Sequence, residues 1–280
     1  MLLSLACCRV PQAKRGESAA SGSIGSGPLQ WHPQRFCSPY DRAMNLHSPG
    51  AGTVIDIAGD ALIALPDRAL FWPRTRSLIV ADLHLGKGAA FRRAGVPVPS
   101  GATATDLARL DALLAGHAPE RLLVLGDLFH TRLSQDEPAM AAIDAFRARH
   151  AALQITAIRG NHDRQVKRLP AAWRIDWIAG CLHQSPFVFA HEPAPDPRGV
   201  VLSGHLHPVL QLKSRRDSAR LPVFWFRHAE RIGVLPSFGS FTGGYPVQPA
   251  AADAVIAVTP DGLVPIQSGK LFETPAPCMS

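Results

Sequence analysis

The sequence lacks the features that would anchor it in a membrane or staple it covalently. No apolar run approaches the roughly 20 residues that a bilayer-spanning helix needs. The longest, around Leu122–Leu125 and Val200–Leu202, have the length of buried strands. Its five cysteines (Cys7, Cys8, Cys37, Cys181 and Cys278) form no CxxC pair and no repeated spacing. That excludes a regular disulfide framework and points to reduced thiols in the cytoplasm. The opening MLLSLACC has no positive n-region, and its apolar stretch of about six residues falls short of the ~7–15 of a secretory signal. A cytoplasmic location is expected. Internal repeats, a coiled-coil seam and accessory DNA-binding motifs are also missing.

What is present describes a globular chain. With 280 residues, 46% of them hydrophobic, it can bury one substantial core or at most two modest ones. The formal charge of +7 is uneven. Residues 1–43 hold five basic side chains against two acidic ones, leaving 24 basic and 20 acidic in the remainder. A surplus of that size helps to hold a polyanion but does not identify one.

Residues 1–50 are rich in Ser, Gly, Pro and Arg and show no periodic apolar pattern, so a disordered N-terminal extension is expected there. Met44 stands just ahead of the first patterned segment, where a shorter chain would begin. Residues 51–270 are expected to form a single domain, followed by a tail over 271–280. Within the domain, TVIDIAG and ALIALPD read as strands separated by a turn at Gly59-Asp60. SLIVAD (77–82), RLLVLGD (121–127) and QITAIRGN (154–161) are further strands, continuously apolar as in a sheet covered on both faces. Helical spacing marks 103–115, through Leu107, Leu110, Leu113 and Leu114, with Thr103 and Asp106 in a capping-box pattern. It also marks 137–150, through Met140, Ile143 and Phe146. FVFAHE (187–192) and GVVLSGH (199–205) are strands, and VLQLKSR, LPVFWFR and DAVIAVT predict a strand-rich finish. The alternation up to residue 161 predicts an α/β core.

Five times in succession, an apolar run is followed at once by residues able to bind metal. The blocks are Asp82-Leu83-His84, Gly126-Asp127, Gly160-Asn161-His162-Asp163, His191 and Gly204-His205-Leu206-His207. Each is a weak signal alone, although alternation in an extended segment puts His205 and His207 on one face. In open α/β sheets, ligands gather beyond the carboxyl ends of the strands, which brings the whole set to one edge. Carboxylate, imidazole and amide oxygen together suit Mn²⁺, Zn²⁺, Fe²⁺ or Mg²⁺, and no cysteine lies near the blocks to make a thiolate site.

The order DLH…GD…GNHD…H…GHLH resembles the signature of calcineurin-like metallophosphoesterases and spans residues 82–207. ADLHLGKGAAFRRAGVPVP, VLGDLFHTR, GNHDR, FAHEP, SGHLHP and LPSFGSFTGG are further similar to the ligase-associated DNA damage response endonuclease/phosphodiesterase (PdeM) family, over about residues 54–265. The resemblance implies a four-layer α/β/β/α sandwich of two mixed sheets and two divalent cations, manganese foremost. It assigns Asp82, His84 and His207 to the first cation, Asn161, His191 and His205 to the second, and Asp127 as the bridge. His162 would stay unligated and face the scissile phosphate, with Asp163 either orienting it or bonding a loop. Two cations sharing a hydroxide lower the pKa of bound water and neutralise phosphate oxygens, and His162 would protonate the leaving oxygen or stabilise the developing charge.

The implied activity is phosphodiester hydrolysis in DNA during repair, with a DNA ligase and a helicase as partners. The metal centre alone does not separate this from hydrolysis of phosphomonoesters, nucleotides or cyclic nucleotides, because the surrounding groove decides the substrate. A non-catalytic scaffold that binds a ligase or helicase is the alternative of another class. Lys87, Arg92, Arg93, Arg132 and Arg164 follow the metal blocks and are candidates for substrate phosphates or for solvated loop charge. His130, three residues past Asp127, is expected at the surface, with an approach to the site as the alternative, and Trp72, Trp173, Trp177 and Trp225 are expected in core packing, with stacking on bases as the alternative. FGSFTGG (238–244) reads as a tight loop without assigned chemistry.

Overall fold

The computed structural model describes residues 52–130, 137–213, 218–267 and 269. The extension expected over 1–50, the tail over 271–280 and Arg132 lie outside these residues, as do four of the five cysteines. Cys181 is a free thiol.

Seven strands make the first sheet: β1 (Thr53–Ile57), β2 (Asp60–Leu65), β3 (Ala69–Trp72), β4 (Ser77–Val80), β5 (Arg121–Leu125), β6 (Gln154–Ile158) and β7 (Ile175–Ile178). β1 to β4 form an antiparallel meander, and β4 to β7 run parallel. Parallel neighbours need long crossovers. Here α1 (Lys87–Arg93) and α2 (Ala102–His117) connect β4 to β5, and α3 (Glu137–Arg149) connects β5 to β6.

The second sheet contains β8 (Cys181–Gln184), β9 (Phe187–Ala190), β10 (Val200–Ser203), β11 (Pro208–Lys213), β12 (Ser218–Arg227), β13 (Ile232–Val234), β14 (Tyr245–Pro246), β15 (Ala254–Thr259) and β16 (Gly262–Gln267). Its order is β14-β11-β12-β13-β10-β9-β8, with β15 and β16 added beside β12. β9, β10 and β13 are parallel; β8 joins β9 and β12 joins β13 in antiparallel fashion. Both sheets are therefore mixed, as expected. No helix among the described residues is long and apolar enough to cross a membrane.

The two sheets share one core. Ile79, Leu123, Leu125 and Ile158 from the first meet Phe187, Phe189, Val200, Leu202, Phe224 and Phe226 from the second. Leu78, Val80, Leu122 and Val124 alternate with the inward set and are buried on the opposite face. The crossover helices supply Leu107, Leu110, Leu113, Leu114, Ile143 and Phe146, all buried. This double coverage is why the central strands read as unbroken apolar runs. Trp72 and Trp173 are fully buried, in keeping with core packing.

One local expectation is corrected. Thr103 and Asp106 do not form a capping box: α2 starts behind Gly101 and has no side-chain cap. The Thr103 hydroxyl accepts from the Gly86 N–H (3.0 Å), ahead of α1, and Asp106 accepts from the Ser240 N–H (3.1 Å). Tertiary partners thus take both side chains away from the helix end.

Phe189 is fully buried between the sheets, with ring centroids 6.0 Å from both Trp72 and Phe187. Phe189→Ala should remove about 3–5 kcal/mol of stability, read as a lowered urea midpoint with an unchanged slope.

Candidate metal centre

The polar blocks begin where the strands stop. Asp82 lies two residues past β4, Asp127 two past β5, Asn161 three past β6, His191 directly after β9 and His205 two past β10. The carboxyl ends of both sheets point the same way, so these loops converge. Asp82 N–H donates to the Gly126 carbonyl (3.2 Å) and His84 N–H to the Asp127 carbonyl (2.9 Å), which extends the parallel pairing into the loops.

The backbone there is unusual. Asp82, His84, Asp127, His205 and His207 all have positive φ, between 45° and 69°. They make up five of the eleven such non-glycine residues in the described chain. Asp and His tolerate this region better than most residues, and its clustering marks a functional site. Two glycines are required by close approach. A Cβ on Gly160 would collide with the Asp127 carboxylate, and one on Gly126, itself at φ +83°, would collide with the His191 ring.

Two groups of donors result. Asp82, His84 and His207 form one, and Asp127, His191 and His205 the other; within each, the ligand atoms lie within 4.8 Å of one another. In the first, His84 Nε2 is 3.2 Å from His207 Nε2, and His207 Nε2 is 3.7 Å from Asp82 Oδ2. In the second, Asn161 Oδ1 is 2.9 Å from His191 Nε2 and 3.1 Å from His205 Nδ1. Asp127 stands between the groups. Its Oδ2 is 3.8 Å from His84 Nε2 and 3.6 Å from His191 Nε2, while its Oδ1 accepts from the His162 N–H (2.9 Å).

Whether these residues suit cations is decided by their hydrogen bonds. His191 Nδ1 donates to the Leu125 carbonyl (3.2 Å) and His207 Nδ1 to the Gly243 carbonyl (3.1 Å). Each ring thereby turns its Nε2 toward the site. Asp82 Oδ1 is fully buried and has no hydrogen-bond partner, and His84 Nδ1 is likewise orphaned. Burial, reinforced by Lys87 and the neighbouring histidines, pushes His84 far below its usual pKa and keeps it in the neutral, ligating form. Converging lone pairs and an unpaired buried carboxylate oxygen fit divalent cations.

The calcineurin-like phosphoesterase family model matches residues 75–251, more than half of the chain. The chain is a calcineurin-like phosphoesterase. Among solved structures it is similar to the nuclease MPE of Pseudomonas putida, with 39% identity, a TM-score of 0.67, and coverage of 77% of this chain and 100% of that one. It also aligns with AQ665, a protein of unknown function from Aquifex aeolicus, at 17% identity and a TM-score of 0.34, covering 47% of this chain and 78% of that one. Yfce, a phosphoesterase from E. coli, aligns at 18% identity and a TM-score of 0.35, covering 68% and 92%. A search of curated proteins gives no match.

In this phosphoesterase, His162 lies beside the first donor group, its ring edge-on to His84 at 5.1 Å between centroids. Asp163 does not orient it, contrary to one of the two expected roles. The fully buried Asp163 carboxylate accepts from the Phe129, Gly160 and Leu128 N–H groups at 3.0, 2.9 and 3.3 Å. It ties the Asp127 loop to the Asn161 loop. Burial pushes this carboxyl up to about 6, against the pull of the three amides.

His130 was expected at the surface, and the structure corrects this. Its ring stacks on His162 (4.7 Å, 30°) and meets His84 edge-on at 5.5 Å. Burial, then Lys87 and His162, push it down to about 4.

The candidate substrate cations separate. Half-buried Lys87 feels both Asp127 and Asp82, although burial prevails and lowers its pKa. Arg164 lines a cleft of about 330 Å³ together with Asn161 and His191. Arg92 is exposed and donates to the Pro99 carbonyl (2.9 Å), and Arg93 is exposed on the same short helix.

The loop that begins at Ser237 and runs through FGSFTGG has a role that its sequence did not disclose. Ser237 Oγ and Gly239 N–H donate to the Asp82 carbonyl (2.8 and 3.2 Å), and Gly243 holds His207. Asp106 accepts from the Ser240 hydroxyl, and Arg109 donates to the Phe238 carbonyl (2.9 Å), fastening the loop to α2. The available signal was the density of small and hydroxyl residues after a strand.

Asp163→Ala should lower metal affinity by about 10–100-fold, measured by dialysis and elemental analysis, with circular dichroism unchanged.

Proposed function

We propose that this phosphoesterase hydrolyses phosphodiester bonds in DNA as an endonuclease, using two divalent cations with manganese foremost. The observation that carries the reading is the position of Asp127 Oδ2, directed at histidines of both donor groups. A carboxylate so placed suits a bridging ligand between paired ions. Asp82, His84 and His207 would hold one, and Asn161, His191 and His205 the other. Asn161 contributes a neutral oxygen, which limits the negative charge around the site. When bound, the cations supply Lewis acidity that makes water nucleophilic near neutral pH and offsets the charge of the phosphate.

The remaining work falls to the chain's own side chains. The His162 backbone is fixed to Asp127 Oδ1, and its ring is packed between His84 and His130. This imidazole protonates the leaving oxygen. Lys87 adds positive charge close to Asp82 and Asp127, where a phosphate would enter. The preference for a nucleic-acid diester is supported by the 39% identity to a protein described as a nuclease. A repair setting in the cytoplasm, with a DNA ligase and a helicase as partners, follows from the likeness to ligase-associated endonucleases.

The test compares defined single-stranded DNA, bis-p-nitrophenyl phosphate and p-nitrophenyl phosphate across Mn²⁺, Mg²⁺, Zn²⁺ and Fe²⁺. DNA nicking and diester turnover are expected in Mn²⁺ and should vanish on chelation. Monoester turnover far above diester turnover, with the DNA left intact, would refute the proposal. His162→Ala should reduce kcat on the diester by about 10²–10⁴-fold while bound metal stays at the wild-type level.

A further inference from the structure

Away from the paired donor groups, a further cluster of metal-ligating side chains stands on the edge of the second sheet. Cys181 and His183 are two residues apart on β8, so alternation puts both on one face. Asp196 reaches them from the connection between β9 and β10. Cys181 Sγ is 3.4 Å from His183 Nε2, and His183 Nε2 is 3.9 Å from Asp196 Oδ2. All three ligand atoms lie within 4.8 Å of one another. A tetrahedral zinc ion, with bonds of about 2.3 Å to sulfur and ~2.0–2.2 Å to nitrogen or oxygen, separates its ligands by roughly 3.3–3.6 Å. The Cys181–His183 pair is at that spacing, and the His183–Asp196 pair lies a little outside it.

A positive charge already occupies this position. Arg198 Nη2 donates to Asp196 Oδ2 (2.7 Å) and approaches Cys181 Sγ at 3.7 Å, while Arg198 Nε donates to Asp196 Oδ1 (2.9 Å). Its side chain is 59% exposed and can swing into solvent. The Arg198 N–H bond to Asp196 Oδ1 (2.9 Å) holds the carboxylate in place independently of the guanidinium.

We propose that Cys181, His183 and Asp196 form a separate cation site for a borderline-soft divalent ion of the zinc class, with Arg198 as its displaceable stand-in. Thiolate, imidazole and carboxylate select such an ion over Mg²⁺ or Mn²⁺, and binding releases the Cys181 proton to solvent. Cys181 and Asp196 line the same cleft as Asn161, His191 and Arg164. An ion there ties β8 to the loop that carries Asp196, along the outer wall of that cleft. The inference does not depend on the proposed reaction.

Cobalt(II) is the probe, titrated into the full-length, reduced protein after loading with Mn²⁺. The paired donor groups contain no sulfur, and Cys7, Cys8, Cys37 and Cys278 are replaced by serine in every variant, so a near-ultraviolet thiolate-to-cobalt charge-transfer band reports on Cys181. The band is expected to saturate, to vanish in Cys181→Ser and to need about tenfold or more cobalt in Asp196→Asn. Arg198→Ala should tighten binding several-fold by removing the competing charge. A band that is absent from the wild-type protein, persists in Cys181→Ser or is indifferent to Asp196→Asn overturns the proposal.

Discussion

Two buried carboxylates govern this structure. Asp82 is fully buried and Asp127 only 1% exposed. Among the described residues, their ion-pair partners are histidines and no arginine or lysine. Transferring an ionised carboxylate out of water costs several kcal/mol unless opposite charge accompanies it. The His191 and His207 rings direct their Nδ1–H groups to backbone carbonyls, which turns the Nε2 of each toward the site. The cleft is therefore a concentration of negative charge and lone pairs, balanced by cations of the family's metal-dependent type. The rest of the fold holds that arrangement together.

It does so by layers of support. The sheets bring their carboxyl ends to one side, and the intersheet core of Phe187, Phe189, Phe224 and Phe226 fixes their separation. Left-handed backbone at Asp82, His84, Asp127, His205 and His207 turns each side chain inward. Glycines remove the Cβ atoms that would collide with neighbouring ligands. Asp163 then locks two loops through backbone amides, and the loop from Ser237 to Gly243 locks a third. The strained φ values persist because packing and hydrogen bonds determine these loops from several directions at once.

The polar blocks were legible because each follows an apolar run long enough to be a strand, and the topology of parallel strands does the gathering. The central strands and the two long helices were legible for the same reason: their periodicity is strong. β13, with three residues, and β14, with two, carry too little pattern to be seen, and KGAAFRR in α1 has no apolar stripe. His130 was read as a surface residue because a single histidine has no spacing, and its partial burial depends on Phe91 and His162 coming alongside. Ser237 and Gly243 were missed because they act through a hydroxyl and a backbone carbonyl, which residue identity does not advertise. The Thr103–Asp106 pair misled, since distant partners outcompeted the helix end for both side chains.

The Gly243 carbonyl that orients His207, and the Ser237 hydroxyl bonded to the Asp82 carbonyl, lie over 150 residues downstream of Asp82. During synthesis, the first parallel strands emerge with their carboxylates long before these partners exist. A nascent chain that has reached only β6 presents Asp82, His84 and Asp127 without these fastenings. Hydrolytic competence therefore arrives late on the ribosome, after the second sheet has closed over the first. A product terminated before residue 243 would lack the Gly243 carbonyl and also β15, whose Ala254, Ile256 and Val258 belong to the intersheet core.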